Sequence, residues 1–252
     1  MKKLGVCITT FNSEDYFSAL YNSLPLDRID ELVVVNGGEP YQKDYKCSKW
    51  IQHETVKYAS AARNDGLRYL DAQGCENLFV IEDDMIITNP LVFDHYIETS
   101  EKSGFEYLCY ASNAWHSGPK FARTPRLQVQ YSETIAVNLM KHSCNDFTFR
   151  TKNVLEKTGF YDSGYQYMFD VDYSYRLFQD KFIDFWWFPD SAHSDHYINN
   201  NPDAISRMNP NGERDNKLGP DMARFISKHE IYISHILDTP EKFVREKLEQ
   251  KK

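Results

Sequence analysis

Long apolar runs are missing from this 252-residue chain. None approaches the roughly 20 residues that a membrane-spanning helix requires. The opening, MKKLGVCITTF, carries two lysines but no extended apolar segment, which argues against a secretory signal. Cysteine is sparse, odd in number and scattered (Cys7, Cys47, Cys75, Cys109, Cys144), with no CxxC pair. Neither a zinc site nor a disulfide framework is expected, and the thiols read as reduced. Positive charge is in deficit as well: 29 Lys and Arg against 37 Asp and Glu leave a net charge of −8. That balance argues against a broad nucleic-acid-binding face. No glycine-rich loop with a following lysine succeeds the first apolar strand, so a phosphate-binding loop of that kind is excluded. Internal repeats and low-complexity tracts are absent. Together these absences predict a cytoplasmic protein, at most peripheral to the inner membrane surface.

Aromatic residues are plentiful, with 17 Tyr and 16 Phe. They serve a packed core or a site that stacks planar ligands. A chain of this length forms one large domain, or one domain with a C-terminal extension. The pattern divides it into a domain over 1–198 and a mobile loop plus helical extension over 199–252. The first hundred residues alternate strand and helix: strands at 4–10, 31–35 and 78–81, helices at 14–24 and 59–70. Pro25, Asn36-Gly37-Gly38 and Gly74 punctuate them. Further on, strands are expected at 107–112, 134–139 and 182–188, and helices at 153–158, 170–179 and 221–251. The polar stretch 199–220 reads as a loop, and Arg207, Arg214 and Lys217 make it a candidate lid. Alternating strands and helices imply an α/β fold with a mostly parallel sheet, whose ligands bind beyond the carboxyl ends of the strands.

The segment LFVIEDDMIITNP concentrates three acids, Glu82, Asp83 and Asp84, where a buried strand should end. Strand alternation would put Glu82 and Asp84 on one face and Asp83 on the other. Carboxylates this close repel unless a cation or proton neutralises them. Two readings stand: a solvated acidic turn, or a site for a hard divalent ion such as Mg2+ or Mn2+ that keeps water and phosphate positions open.

Four segments, in order over about the first 200 residues, resemble the GT-A fold glycosyltransferases, most closely the inverting, nucleotide-sugar-dependent family 2 group. GVCITTFNSEDYFSALYNSL looks like the family's opening strand, with Thr9 where a proline is usual. LVVVNGG resembles the second strand, with Asn36 in place of the acid that reads the nucleotide base. ASAARNDGLRYL is similar to the Ala-Arg-Asn helix, and FVIEDDMIITNP to the DXD segment. FRTKNVLEKTGFYDSGYQYMFDVDYSYRL resembles the stretch in which a Glu-Asp pair opens a helix, here Phe169-Asp170. PDSAHSDHY follows, with His193 and His196 as candidates for a metal-binding histidine.

The resemblance implies a GT-A sheet flanked by helices with a C-terminal loop and helical extension. It implies donor contacts from Thr9, Thr10, Phe11, Asn36, Arg63, Asn64, Glu82 and Asp83. It places Mn2+ (or Mg2+) on Asp84 and His196, with spacing from Pro189 favouring His196 over His193, and makes Asp170 the general base. An acid at a helix N-terminus is held as its anion by the dipole, which suits that task; the same residue also suits a simple capping role. The expected partners are a nucleoside-diphosphate sugar and a hydroxyl-bearing acceptor: a glycan, a glycolipid or another hydroxylated molecule, a modified DNA base included. Trp115, His116, Trp186 and Trp187 are candidates for stacking on sugar, and Lys120, Arg123 and Arg126 for facing an anionic acceptor. Competing readings are a sugar nucleotidyltransferase and a non-catalytic nucleotide- or saccharide-binding protein with a degenerate site.

Overall fold

Seven buried residues in a row, Leu4–Thr10, form strand β1, and its neighbours β2 (Glu31–Asn36) and β4 (Asn77–Glu82) are buried almost throughout. Strands covered on both faces read as continuous apolar runs, which is why these were visible in the sequence. The computed structural model describes residues 2–110, 125–140, 144–180, 182, 188–202 and 213–231. Its main sheet has nine strands in the order β3-β2-β1-β4-β9-β6-β10-β8-β7. The remaining strands are β3 (Lys49–Gln52), β6 (Tyr107–Tyr110), β7 (Leu127–Gln130), β8 (Ala136–Met140), β9 (Cys144–Thr151) and β10 (Phe188–Ser191). Within this sheet only β8 and β9 run against the others. The ends of β1, β2, β4, β6 and β10 therefore open on one edge. A two-stranded ribbon, β5 (Met85–Ile87) with β11 (Ile198–Asn200), stands just beyond β4.

Alternation along the strands sorts the core into two layers. Leu4, Val6, Ile8, Leu32, Val34, Phe79 and Ile81 share one face with helices α1 (Glu14–Ser23) and α3 (Val92–Ser103). Cys7, Val33, Val35, Leu78 and Val80 share the other with α2 (Ala59–Ala72), α4 (Lys152–Thr158) and α5 (Phe169–Gln179). α2 lies so close to β1 that a Cβ on Gly66 would stand 2.1 Å from Cys7 Sγ and 3.1 Å from Cys7 Cβ.

Several elements differ from the sequence reading. α3, closed by Gly104 at φ 74°, lies where the sequence reading places no element, as do β3, β5, β7 and β9. Phe182 stands in a bend and β10 begins at Phe188, later than the 182–188 strand. The 199–220 loop is not one loop. Asn199 and Asn200 belong to β11, and helix α6 runs Glu213–His229 with Pro220 inside it. Leu218 and Phe225, on one side of α6, pack into the second layer, and that burial overrides the local Gly219-Pro220 stop signal. Trp115, His116, Lys120, Arg123, Trp186, Trp187 and Arg207 lie outside the described residues. Among the described residues, no helix is long and apolar enough to cross a membrane.

α6 is tied down by charge as well as by Phe225. Arg224 and Lys228 donate to Asp162 at 3.0 and 2.9 Å, and Lys228 and His229 reach Asp172 at 2.7 and 2.8 Å. Burial alone would raise the Asp162 carboxyl; Lys228, the Gly164 N–H and Arg224 outweigh it and push it down to about 2. Asp172 is depressed for the same reason, burial being overcome by Lys228, His229 and Arg176.

Two outcomes follow from this packing. Gly66→Ala lowers stability by about 1–3 kcal/mol, read as a drop in the urea midpoint, because buried Cys7 has to move. Adding Cys7→Ala recovers part of that loss, and a neutral Gly66→Ala would mean helix and strand part freely. For Asp162, a folded carboxyl below its ordinary 3.8 stabilises above that value, and the contribution disappears as pH falls toward about 2. Asp162→Asn is therefore less stable than the parent at pH 7, and the gap narrows below pH 4. A gap that stays constant down to pH 3 would rule out this linkage.

Candidate functional site

The first two strand ends interlock. Thr10 Oγ1 is hydrogen-bonded to Tyr41 Oη and donates to Asp83 Oδ2, which also accepts from Phe11 N at 3.4 Å. Phe11 itself is 48% exposed, a large ring left open beside this edge. Asn36 is fully buried and spends its amide on the turn after β2. Its Nδ2 donates to Glu39 O (2.7 Å) and Gln52 Oε1 (3.1 Å), and its Oδ1 accepts from Gly38 N (2.9 Å). Gly38 is obligatory here, since a Cβ would stand 2.2 Å from Asn12 Oδ1 and 2.7 Å from Asn12 N. His53 joins the same corner: its Nε2 faces Asp65 at 2.9 Å, and its buried Nδ1 has no partner among the described residues.

Arg63 is 1% exposed and donates through Nη2 to Glu82. Its guanidinium lies over Phe169 at 4.8 Å and Tyr161 at 5.6 Å. Burial works against this cation, but the charge of Glu82, followed by Tyr161 and Asp170, holds it above its ordinary range. Asn64 turns away from the edge. It donates to Tyr161 O at 2.8 Å and accepts from Tyr161 N at 2.9 Å, clamping α2 to the turn before α5. Arg63 and Asn64 thus reach the site through other residues.

β4 ends at Glu82, and Asp83 and Asp84 stand in the turn before β5, so strand alternation does not set their directions. Burial pushes the Asp83 carboxyl up to about 7, against the Thr10 hydrogen bond and with the charge of Glu82. Asp84 is driven well above the carboxylate range by burial, then by Asp146, Glu82 and Asp83. Its Oδ1 is buried and has no hydrogen-bond partner among the described residues. Asp146, 4% exposed, was missed from sequence. It lies one residue past the pair Ile81↔Phe147, which brings it across from Glu82. Its only local signal was the alternation of Phe147 and Phe149 behind it.

This all-oxygen set suits a hard divalent cation. Among the described residues, no group of three or more His, Cys, Asp or Glu is arranged so that it could hold a metal ion by itself. A Mg2+- or Mn2+-type ion bound through one or two carboxylates plus substrate phosphate requires no such cage. His196 closes a single 3-10 turn, Ser194–His196, two residues ahead of β11. β11 pairs Ile198 with Ile87 and Asn200 with Met85, and Asn201 N donates to Asp84 O at 2.6 Å.

Asp170 is in the first turn of α5, where its Oδ1 accepts from Val171 N at 2.8 Å and its charge acts on Arg63. Thr9, 8% exposed, pairs with Glu82 across β1 and β4. A separate polar cavity of about 150 Å³ lies where β6, β8 and β10 meet, lined by Tyr110, Asn138, Asp190, His193 and Asp195 among others. Because Arg63 has Glu82 as its carboxylate partner, Glu82→Gln strands a buried cation. The expected loss is about 1–3 kcal/mol in denaturant titration. An unchanged midpoint would show that the two aromatic faces alone hold the guanidinium.

No protein-family model matches this chain, and no curated protein matches it in sequence. Among solved structures it is similar to S. aureus TarS. For TarS 1-349 the identity is 19% and the TM-score 0.53, over 79% of this chain and 60% of that one. The same fragment in complex with UDP gives 18% and 0.54, over 78% and 60%. A longer TarS structure gives 17% and 0.55, over 92% and 44%. The chain therefore spans 60% or less of the length of these structures. At such identities the likeness is one of architecture, and the architecture is the GT-A glycosyltransferase fold.

Proposed function

We propose that this chain is a metal-dependent, inverting glycosyltransferase of the family 2 type, moving a sugar from a nucleoside-diphosphate sugar to an acceptor hydroxyl. The observation that carries the reading is the convergence on one sheet edge of Asp146 and of Asp84, whose buried Oδ1 has no hydrogen-bond partner among the described residues. The Thr10-Phe11 turn and the N-terminus of α5 meet them there. The UDP complex of TarS, on the same fold, supports a nucleoside diphosphate as the carrier.

Thr9, Thr10, Phe11 and Asp83 would contact the nucleoside, with Phe11 offering its exposed face for stacking. Asn36 would act by shaping the turn, Asn64 by fixing the 161 turn, and Arg63 by orienting Glu82. Asp84, with Asp146 beside it, would hold the Mn2+ or Mg2+. When bound, that cation offsets charge building on the departing diphosphate. Asp170, in the first turn of α5 and with its charge acting on Arg63, would accept the proton of the acceptor hydroxyl. The hydroxyl oxygen bonds to the anomeric carbon as the bond to the diphosphate oxygen breaks on the opposite face, and one displacement inverts the centre. The polar cavity at the same edge suits a hydroxyl-rich acceptor such as a glycan or glycolipid headgroup. The functional unit runs past residue 198, because β11 and α6 complete it.

A donor screen tests the reading: purified protein, Mn2+, a panel of nucleotide sugars, and release of nucleoside diphosphate. One donor is turned over, EDTA stops it, Asp84→Ala abolishes it, and Asp170→Asn slows it by about 10²–10⁴-fold. Donor binding without turnover would replace the enzyme by a saccharide- or nucleotide-binding protein. Pyrophosphate released from a nucleoside triphosphate and a sugar phosphate would replace it by a nucleotidyltransferase.

A further inference from the structure

The turn before α5 presents three consecutive backbone N–H groups, and one carboxylate takes them all. Asp221, on α6 and 5% exposed, accepts from Gln166 N at 3.1 and 3.2 Å, Tyr167 N at 2.6 Å and Met168 N at 3.0 Å. They belong to Met168, the N-cap of α5, and to the two residues before it, in the turn that leads into the helix. Three amides converging on one anion form a nest, in which charge-assisted bonds are shorter and stronger than neutral ones. Asp170 follows Met168 by two residues.

We propose that Asp221 is a positioning residue for Asp170: it fixes the backbone turn from which that carboxylate projects, and α6 is its carrier. This rests on the transferase reading, in which Asp170 is the base. α6 is well suited to the task. Phe225 is fully buried, and Arg224, Lys228 and His229 bind Asp162 and Asp172 on either side of the same turn. Asp221 therefore comes to the nest on a helix already held at four further points. A carboxylate from a segment some fifty residues downstream thus organises the turn that leads into α5. The turn is thereby coupled to the state of α6.

The test compares Asp221→Ala, Asp221→Asn and Asp221→Glu in the full chain. Asp221→Ala lowers kcat for transfer by roughly 100-fold, as misplacement of a catalytic group does, with donor KM held within about twofold. Asp221→Glu keeps most of kcat. Formate, small enough to enter the vacated nest, raises kcat of Asp221→Ala several-fold but does nothing for Asp170→Asn. A merely structural cap would instead lower thermal stability and leave kcat of the folded fraction intact, which overturns the proposal. Amide exchange of Gln166, Tyr167 and Met168 reads the same coupling without substrate. It should accelerate in Asp221→Ala and slow again with formate; unchanged protection overturns the proposal even if no donor is found. A parent protein inactive on every donor would count against the transferase reading, and the exchange data would still decide on Asp221.

Discussion

A buried guanidinium holds this site together. Arg63 comes from α2, its carboxylate partner Glu82 ends β4, and the rings that cover it, Phe169 and Tyr161, belong to α5 and the turn before it. A cation 1% exposed has to be compensated, and each compensating group fixes a different element. Glu82 is drawn toward α2, which leaves Asp83 to the Thr10-Phe11 turn and Asp84 to the far side of the acid run. Asn64, one residue on, repeats the connection through the Tyr161 backbone. The Thr10-Phe11 side and the Asp170 side of the edge are thus joined through adjacent residues of one helix.

Two of the departures from the pattern that the sequence resembles belong together. Where the resemblance expects Glu before Asp170, the chain has Phe169, and where it expects a shorter first acid, it has Glu82. The longer acid reaches Arg63, and the phenyl ring offers its face to the same cation at 4.8 Å. Asn36 is a third departure of a different kind, because its amide is absorbed by its own turn.

What the sequence revealed follows from burial. β1, β2 and β4 are covered on both faces, and α2 presents Ala62, Leu67 and Leu70 to them, so their patterns were strong and their ends marked the site. What escaped was decided by pairing between distant segments. Asp146 is a polar residue in a short CND run, and only the register of β9 against β4 brings it to Glu82. The meeting of Asn201 N with Asp84 O is likewise set by the β5–β11 register, which no local pattern encodes. In α6, Gly219 and Pro220 argued for a loop, while the packing of half-buried Leu218 and the burial of Asp221 and Phe225 that overrule them are visible only once α5 is in place.

The β5–β11 ribbon carries a consequence for how the chain assembles. Met85, Ile86 and Ile87 find their partners only at residues 198–200, and the backbone of Asp84 meets Asn201. Loop closure over more than a hundred residues is entropically costly and comes late. On a ribosome, β1, β2 and β4 would emerge and pair long before the acid turn receives its outer strand. The scaffold thus precedes the site it carries, and a nascent chain has its sheet edge in place while the Asp84 turn still waits for the segment that closes it.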